Sequence, residues 1–339
     1  CKAICRGIQN QKSSDESNTY MIGSLSKPTG PRDAKKRHEE AAEVSSKAHS
    51  EGSSKTWQDK LSEESMAWIH AYDDVDGKQL NPKMVMEARK EEMKYFRKMG
   101  VYRKVPIAKC WQTTGKAPIG VRWIDTNKQD DDNPKYRSRL VAKQFKTGND
   151  PDLYAATPPL EAMRIIISEA ATYEPGKKTR GERKIMVNDV SRAYFYARSE
   201  SPTFVELCDE DREPGDEGMC GELMVSMYGT RQAAQNWQLC VGRTMNKLGF
   251  KTAVSSPCMF VHEQRDIITL VHGDDFLSTA SEVDLKWLQA GLEREFEIST
   301  KIIGGDEKDD KQLKVLNRSI TYRKGGIDYE PDLRHAELI

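Results

Sequence analysis

The sequence predicts an α+β fold built on a split βαβ, ferredoxin-like antiparallel sheet, preceded by a disordered N-terminal tail. Three observations carry this. Apolar runs and helical periodicities follow one another as β-α-β-β-α-β across residues 185–300, the order of that core. Within it, Ile267 to Val271 and Phe276 to Ala280 flank His272-Gly273-Asp274-Asp275, a hairpin pattern with two carboxylates at its tip. Residues 1–56 are rich in Ser, Lys, Glu and Asp, with Tyr20 as their one aromatic. Such a segment buries too little apolar area to offset its chain entropy.

The 339 residues hold 53 basic and 53 acidic side chains, 31% charged and 37% apolar overall. No global field points to nucleic acid, although a balanced total can hide a local basic groove. No apolar run approaches the ~20 residues that span a bilayer, and no signal-peptide core opens the chain. A membrane partner is therefore not expected. Seven cysteines form no C-x-x-C pair, and Cys1 and Cys5 lack nearby His partners. Reduced, intracellular thiols are expected rather than disulfides or zinc. A start at Cys1 suggests a piece of a longer polyprotein.

Four segments are expected in order: a tail or linker over 1–56, a helical extension over 57–104, the main domain over 105–300, and a C-terminal β-hairpin with a truncated connection over 301–339. Trp57, Leu61, Met66, Trp68 and Ile69 fall at roughly helical spacing. Asn81-Pro82 opens a helix through Met99 that buries Val85, Met86, Met93 and Phe96, and Gly100 stops it. Residues 101–146 look like strands, with Val121 to Ile124 and Arg139 to Ala142 flanking the turn Asp130 to Pro134. Pro158-Pro159 starts a helix over 160–173. The strand Ile185 to Val190 carries Asp189 near its end. Further strands are expected at Phe204 to Leu207, Leu223 to Ser226 and Cys258 to Val261. A helix over 231–248 turns Ala234, Trp237, Val241, Met245 and Leu248 inward. Ser281-Glu282-Val283-Asp284 caps a helix that buries Leu285, Leu288, Leu292 and Phe296. Strands near 313–322 and the Gly325-Gly326 turn read as the last hairpin. Helices on one face of such a sheet would leave the other open to substrate.

Asp73-Asp74, Asp130 to Asp132 and Asp309-Asp310 lie among polar residues, where a solvated loop explains them. Asp274-Asp275 lies between apolar strands, where unpaired charge is costly. The hairpin alone suits a plain Gly-Asp turn as well as a functional pair. Asp189 can reach the same end of the sheet, and three converging carboxylates repel one another unless cations sit between them. Oxygen donors of this kind suit Mg²⁺ or Mn²⁺. Two such ions, roughly 3.5–4 Å apart, serve phosphoryl transfer. The strands around the 130–134 turn carry Lys128, Lys135, Arg137, Arg139, Lys143 and Lys146 among Trp123, Tyr136 and Phe145. That pattern fits a solvated face or a phosphate-binding one.

Five blocks then stand in one order: Arg137-Ser-Arg-Leu-Val-Ala-Lys143, Ala155-Ala-Thr-Pro158, Val187-Asn-Asp-Val-Ser-Arg-Ala-Tyr-Phe195, Met227-Tyr-Gly-Thr-Arg-Gln-Ala-Ala-Gln-Asn-Trp237 and Val271-His-Gly-Asp-Asp275. In these the chain resembles the reverse transcriptase domain of Ty1/copia-type LTR retrotransposon Pol polyproteins. The resemblance implies a polymerase palm with fingers and RNA-directed DNA synthesis. Asp189, Asp274 and Asp275 would be catalytic and hold two Mg²⁺ (Mn²⁺ as a substitute). Tyr194 resembles the aromatic gate beneath the deoxyribose, although a core aromatic would also explain a ring in Ala-Tyr-Phe-Tyr. Gln232 resembles the glutamine of the dNTP pocket, and Arg139 the arginine over the incoming nucleotide. Lys143 and Arg122 could contribute. The implied partners are dNTPs and a primed RNA or DNA template. Integrase upstream and RNase H downstream would complete the polyprotein, which would work in cytoplasmic virus-like particles and the nucleus.

The family's tip usually reads Tyr-Val-Asp-Asp, and His272-Gly273 replace its first two residues. Asn188 stands where an apolar residue is common, and Arg192 where a small polar one is. Three other readings remain on these residues: a degenerate, inactive element fragment that keeps the fold, a nucleotide cyclase on the same core, and an interaction module led by the tail.

Overall fold

The computed structural model describes residues 71–129, 132–145, 153–172 and 182–331. All lie in one compact unit, Lys55–Ile339. The disorder expected over 1–56 and the helical spacing at 57–69 fall outside the described residues.

Helix α1 (Pro82–Lys98) begins where Asn81 accepts from the amides of Lys83 and Met84 at 3.0 and 3.4 Å, an N-cap with proline at the first helical position. Val85, Met86, Met93 and Phe96 are its buried face, as the spacing predicts. Strand β1 (Tyr102–Pro106) follows. The chain then departs from the all-strand expectation, because Ile107–Thr114 forms a helix, α2. Eight residues are too few for periodicity to separate helix from strand. The deciding feature is Gly115, left-handed at φ 66°, whose N–H donates to the Trp111 carbonyl.

Strands β2 (Val121–Asn127) and β3 (Tyr136–Ala142) form the expected ribbon, registered from Val121↔Ala142 to Asn127↔Tyr136. Helix α3 (Leu160–Ala171) follows with Met163, Ile166 and Ile167 buried. Strand β4 (Arg183–Val190) leads into a 3-10 turn, Ala193–Tyr196. Strand β5 is only Phe204–Val205, and β6 is Met219–Leu223 rather than 223–226. β6 runs antiparallel between β1 and β5, and Met227 turns into the core beyond it.

Helix α4 (Ala233–Lys247) buries Trp237, Val241 and Met245, while Ala234 and Leu248 are half-buried. After it come β7 (Lys251–Ala253), β8 (Ser256–His262), β9 (Ile267–His272) and β10 (Asp275–Ser281). Helix α5 (Glu282–Glu293) is capped by Ser281, which accepts from the Asp284 amide at 3.3 Å. Strands β11 (Ile298–Ile303), β12 (Gln312–Val315), β13 (Arg318–Arg323) and β14 (Gly326–Pro331) close the described chain. The expected C-terminal hairpin is one half of a three-stranded sheet, β12-β13-β14.

The central sheet is antiparallel, ordered β11-β4-β10-β9-β8-β7. With β4, β9, β10 and β11 as its four core strands, this is the split βαβ arrangement, extended at one edge by β8 and β7. Alternation along each strand separates two faces. Met186, Val190, Phe276, Ala280, Ile267 and Val271 pack with Trp237, Leu285, Leu288 and Leu292 of α4 and α5. Ile185, Leu277, Ile268 and Leu270 pack instead with Met163, Ile166 and Ile167 of α3 and with Leu313, Val315 and Ile320 of the small sheet. The second face is therefore covered, contrary to the expectation that it stays open. Its backing comes from α3 and from strands after residue 300, whose place in space no local pattern reveals. What remains open on that face is the end bearing Asp189 and Asp275.

Candidate active site

The site begins with strand register. Asp189, the penultimate residue of β4, is the direct cross-strand partner of Asp275, the first residue of β10. By alternation both side chains share the face of Val187 and Leu277. His272 pairs with Asp275 across the hairpin, leaving Gly273 and Asp274 as a two-residue loop. Gly273 has φ 60° while Asp274 keeps a negative φ, the pattern of a type II′ turn, for which glycine is the natural first residue. The loop is tied down twice. The Val190 amide donates to the Asp274 carbonyl at 3.0 Å, and the Trp237 indole Nε1–H donates to the Gly273 carbonyl at 2.6 Å.

The carboxylates are held near one another with only partial compensation. Burial, then the charges of Asp274 and Asp189, pushes the Asp275 carboxyl up to about 6. Burial and Asp274 also raise Asp189, opposed by Arg137 and Arg139. No hydrogen bond or ion pair within the described residues engages the three side chains. Oxygen donors left without such partners suit a hard divalent cation. They are not gathered round one point, however, because no three His, Cys, Asp or Glu side chains among the described residues already form a metal-holding group.

The β2–β3 ribbon brings the cations. Arg139 lies 4.9 Å over the Tyr228 ring, and its Nε is buried without a partner. Arg137, two positions earlier and so on the same side of the strand, is exposed and also acts on Asp189. It is the site residue that sequence reasoning left unassigned, and its i, i+2 spacing from Arg139 was the available signal. Lys143 is exposed and reaches over Gly120, and its charge is not among those acting on Asp189 or Asp275. Arg122 pairs with Asp74 at 3.2 Å. The ribbon is fixed to the next motif where Gly229, at φ 80°, passes so near β3 that a Cβ would lie 2.0 Å from the Ala142 carbonyl oxygen.

Tyr194 is half-buried with its ring 4.8 Å from that of Tyr228 and tilted against it by 55°, so that Arg139, Tyr228 and Tyr194 follow in contact. Burial, then Asp274, raises its phenol. Phe195, 1% exposed and edge-on to Phe96 and Tyr228, is the core aromatic of this turn. The turn is set by Arg192, left-handed at φ 53°, whose Nε donates to Glu92 on α1 at 2.6 Å while its guanidinium covers Tyr95 at 4.1 Å. Gln232 is placed differently. Its Oε1 accepts from the Ser201 hydroxyl at 2.5 Å, and it lines a polar cavity of about 280 Å³ with Ser199, Thr203 and Thr230. Tyr194, His272, Gly273 and Trp237 line another, of about 210 Å³. Gln232 and Tyr194 are thus not brought into one pocket.

Residues 108–303 match the family model described as reverse transcriptase (RNA-dependent DNA polymerase). The chain is 27% identical over 223 residues to the retrovirus-related Pol polyprotein from transposon TNT 1-94 of Nicotiana tabacum, covering 63% of this chain and 16% of that relative. Among solved structures, apo telomerase from Candida tropicalis, truncated from its C-terminal domain, is similar at a TM-score of 0.37 and 11% identity, over 77% of this chain and 63% of its own. The foamy viral protease–reverse transcriptase in complex with double-stranded DNA gives 0.35 and 11%, over 70% and 34%.

Proposed function

The chain belongs to the reverse transcriptase (RNA-dependent DNA polymerase) family, of the Ty1/copia retrotransposon type, and from that premise we propose that it catalyses template-directed DNA synthesis. The observation that carries this is the Asp189–Asp275 register, with Asp274 beside it and Arg137 and Arg139 facing it. Among the described residues no helix is long and apolar enough to cross a membrane.

In the proposed reaction the primer 3′-hydroxyl attacks the α-phosphorus of a dNTP, and pyrophosphate leaves. Asp189, Asp274 and Asp275 would hold Mg²⁺, which when bound neutralises charge on the phosphates and lowers the pKa of the attacking hydroxyl. Arg137 and Arg139 bind the triphosphate as planar donors. The Tyr228 ring holds the Arg139 guanidinium in place, and the Tyr194 ring lies under the sugar, excluding a 2′-hydroxyl. Primed RNA or DNA template would be held by backbone and shape rather than base identity.

Purified protein with Mg²⁺, dNTPs and a primed RNA template should extend the primer, and Asp274→Asn should abolish extension. The ungathered carboxylates favour one second reading, a copy that keeps the fold and binds primed template without extending it. Binding by the folded wild type, with no extension under Mg²⁺ or Mn²⁺, would select that reading.

A further inference from the structure

We propose that Trp237 is a positioning residue, whose indole N–H holds the Gly273–Asp274 turn and so aims the two tip carboxylates. This rests on the polymerase reading above for its catalytic consequence, though not for its geometry. Trp237 is 3% exposed, and its Nε1–H donates to the Gly273 carbonyl at 2.6 Å. The ring itself cannot rotate freely. It meets Phe296 edge-on at 5.2 Å, and Phe296 meets Tyr196 edge-on at 5.3 Å. The donor is therefore carried on α4 and aimed by the packing of its ring, whereas the aspartates are carried on β4, β10 and the hairpin loop.

The turn needs such an anchor. Gly273 has no side chain to pack, and its φ of 60° belongs to a residue type with wide backbone freedom. Of the two loop carbonyls, Asp274 is held from β4 by the Val190 amide and Gly273 from α4 by Trp237. Removing the second tie leaves the two loop carbonyls with one bond between them. The turn also has somewhere to go, because the cavity of about 210 Å³ lies directly against Trp237, His272 and Gly273. Binding the main chain, the indole fixes the turn without occupying either carboxylate. Both stay available to cations and substrate.

The test separates positioning from packing. Trp237→Phe keeps a ring against Phe296 and loses the donor. Site-specific benzothienylalanine at 237 keeps the bicyclic shape and replaces N–H with sulfur, so it serves if the phenylalanine variant folds poorly. Expected are a roughly ten- to hundredfold lower kcat, the scale of about 1 Å of misplacement, and a smaller change in KM for dNTP, since Arg137 and Arg139 are left in place. Amide exchange across residues 271–276 should quicken in both variants, a readout that does not require polymerase activity. Trp287→Phe, on α5 and remote from the turn, should keep wild-type kcat. Wild-type kcat or unchanged exchange in the benzothienylalanine protein would overturn the proposal. If the wild-type chain extends no primer, the polymerase reading fails and the exchange result alone judges the clamp.

Discussion

Asp189 and Asp275 stand directly opposite each other in the β4–β10 ladder. Two like charges are thereby held together by main-chain hydrogen bonds and not by any attraction between them. Sheet register sets the pair, so the strain remains in the protein before any cation arrives. A site that raises the free energy of its own resting state in this way is a common mark of catalytic carboxylates.

The first prediction follows from that strain. Asp275→Asn should stabilise the metal-free protein at pH 7 by on the order of 1–2 kcal/mol, since one raised pKa unit corresponds to about 1.4 kcal/mol and solvent screens part of it. Urea unfolding in EDTA measures it. A destabilised variant would show that Asp275 has a stabilising partner in the fold.

Tyr194 and Phe195 should separate cleanly. Tyr194→Ala should let ribonucleotides be incorporated with little loss of stability, because the ring is half-buried at the site. Phe195→Ala should cost roughly 3–5 kcal/mol, as for a fully buried aromatic, with sugar selection unchanged in the folded fraction. Incorporation ratios of dNTP to NTP, set beside thermal melts, decide it.

Arg139→Lys should raise KM for dNTP by roughly tenfold, because a lysine keeps the charge and loses the planar stack on Tyr228. Arg137→Ala should also raise KM, whereas Lys143→Ala should leave it near the wild-type value. A Lys143 effect as large as that of Arg137 would mean that the ribbon closes further over the site than its geometry indicates.

Much of this was legible in the chain. Apolar runs and turn chemistry marked the hairpin of Asp274 and Asp275, Asn81 and Ser281 announced their helices, and the strands flanking the 130–134 turn marked the ribbon, whose cations suited a solvated face as well as a phosphate-binding one. Register did not follow from pattern, because the pairing of Asp189 with Asp275 depends on how distant strands assemble. Helix α2 was hidden by its shortness, and the cover on the second sheet face by its origin in α3 and in strands beyond residue 300. The Trp237 tie was hidden differently. A tryptophan on the apolar face of a helix reads as core, which it is, and the direction of its N–H is a tertiary fact.

Lys184 supplies the pH dependence. Its ammonium, 5% exposed, meets Glu282 at 2.9 Å, Asp306 at 2.5 Å and Asp309 at 2.7 Å. Its three ion-pair and hydrogen-bond partners outweigh burial and raise it, so that contribution is present below the ordinary lysine value and lost as pH rises through the folded one. Hydrogen bonds from Lys286, Lys308 and Lys184 lower Glu282, so its contribution is present above the ordinary carboxylate value and lost as pH falls. The network therefore holds across the neutral range and weakens in acid. Asp309, expected in a solvated loop, is instead buried against this ammonium, and Lys184→Met should cost roughly 3–5 kcal/mol at pH 7 by stranding it. The gap to the wild type should narrow in acid, because the wild type's Glu282 contribution is lost as pH falls. Urea melts of both proteins at pH 7 and in acid test the narrowing.

Single-turnover primer extension tests the central claim most directly. With Mg²⁺, dNTPs and a primed RNA template, the wild-type chain should add nucleotides, and Asp189→Asn and Asp274→Asn should each remove at least about a thousandfold of the rate, the scale of lost electrostatic catalysis, while remaining folded. Undiminished extension by either variant would contradict the carboxylate site. So would a folded wild-type chain that adds no nucleotide under Mg²⁺ or Mn²⁺.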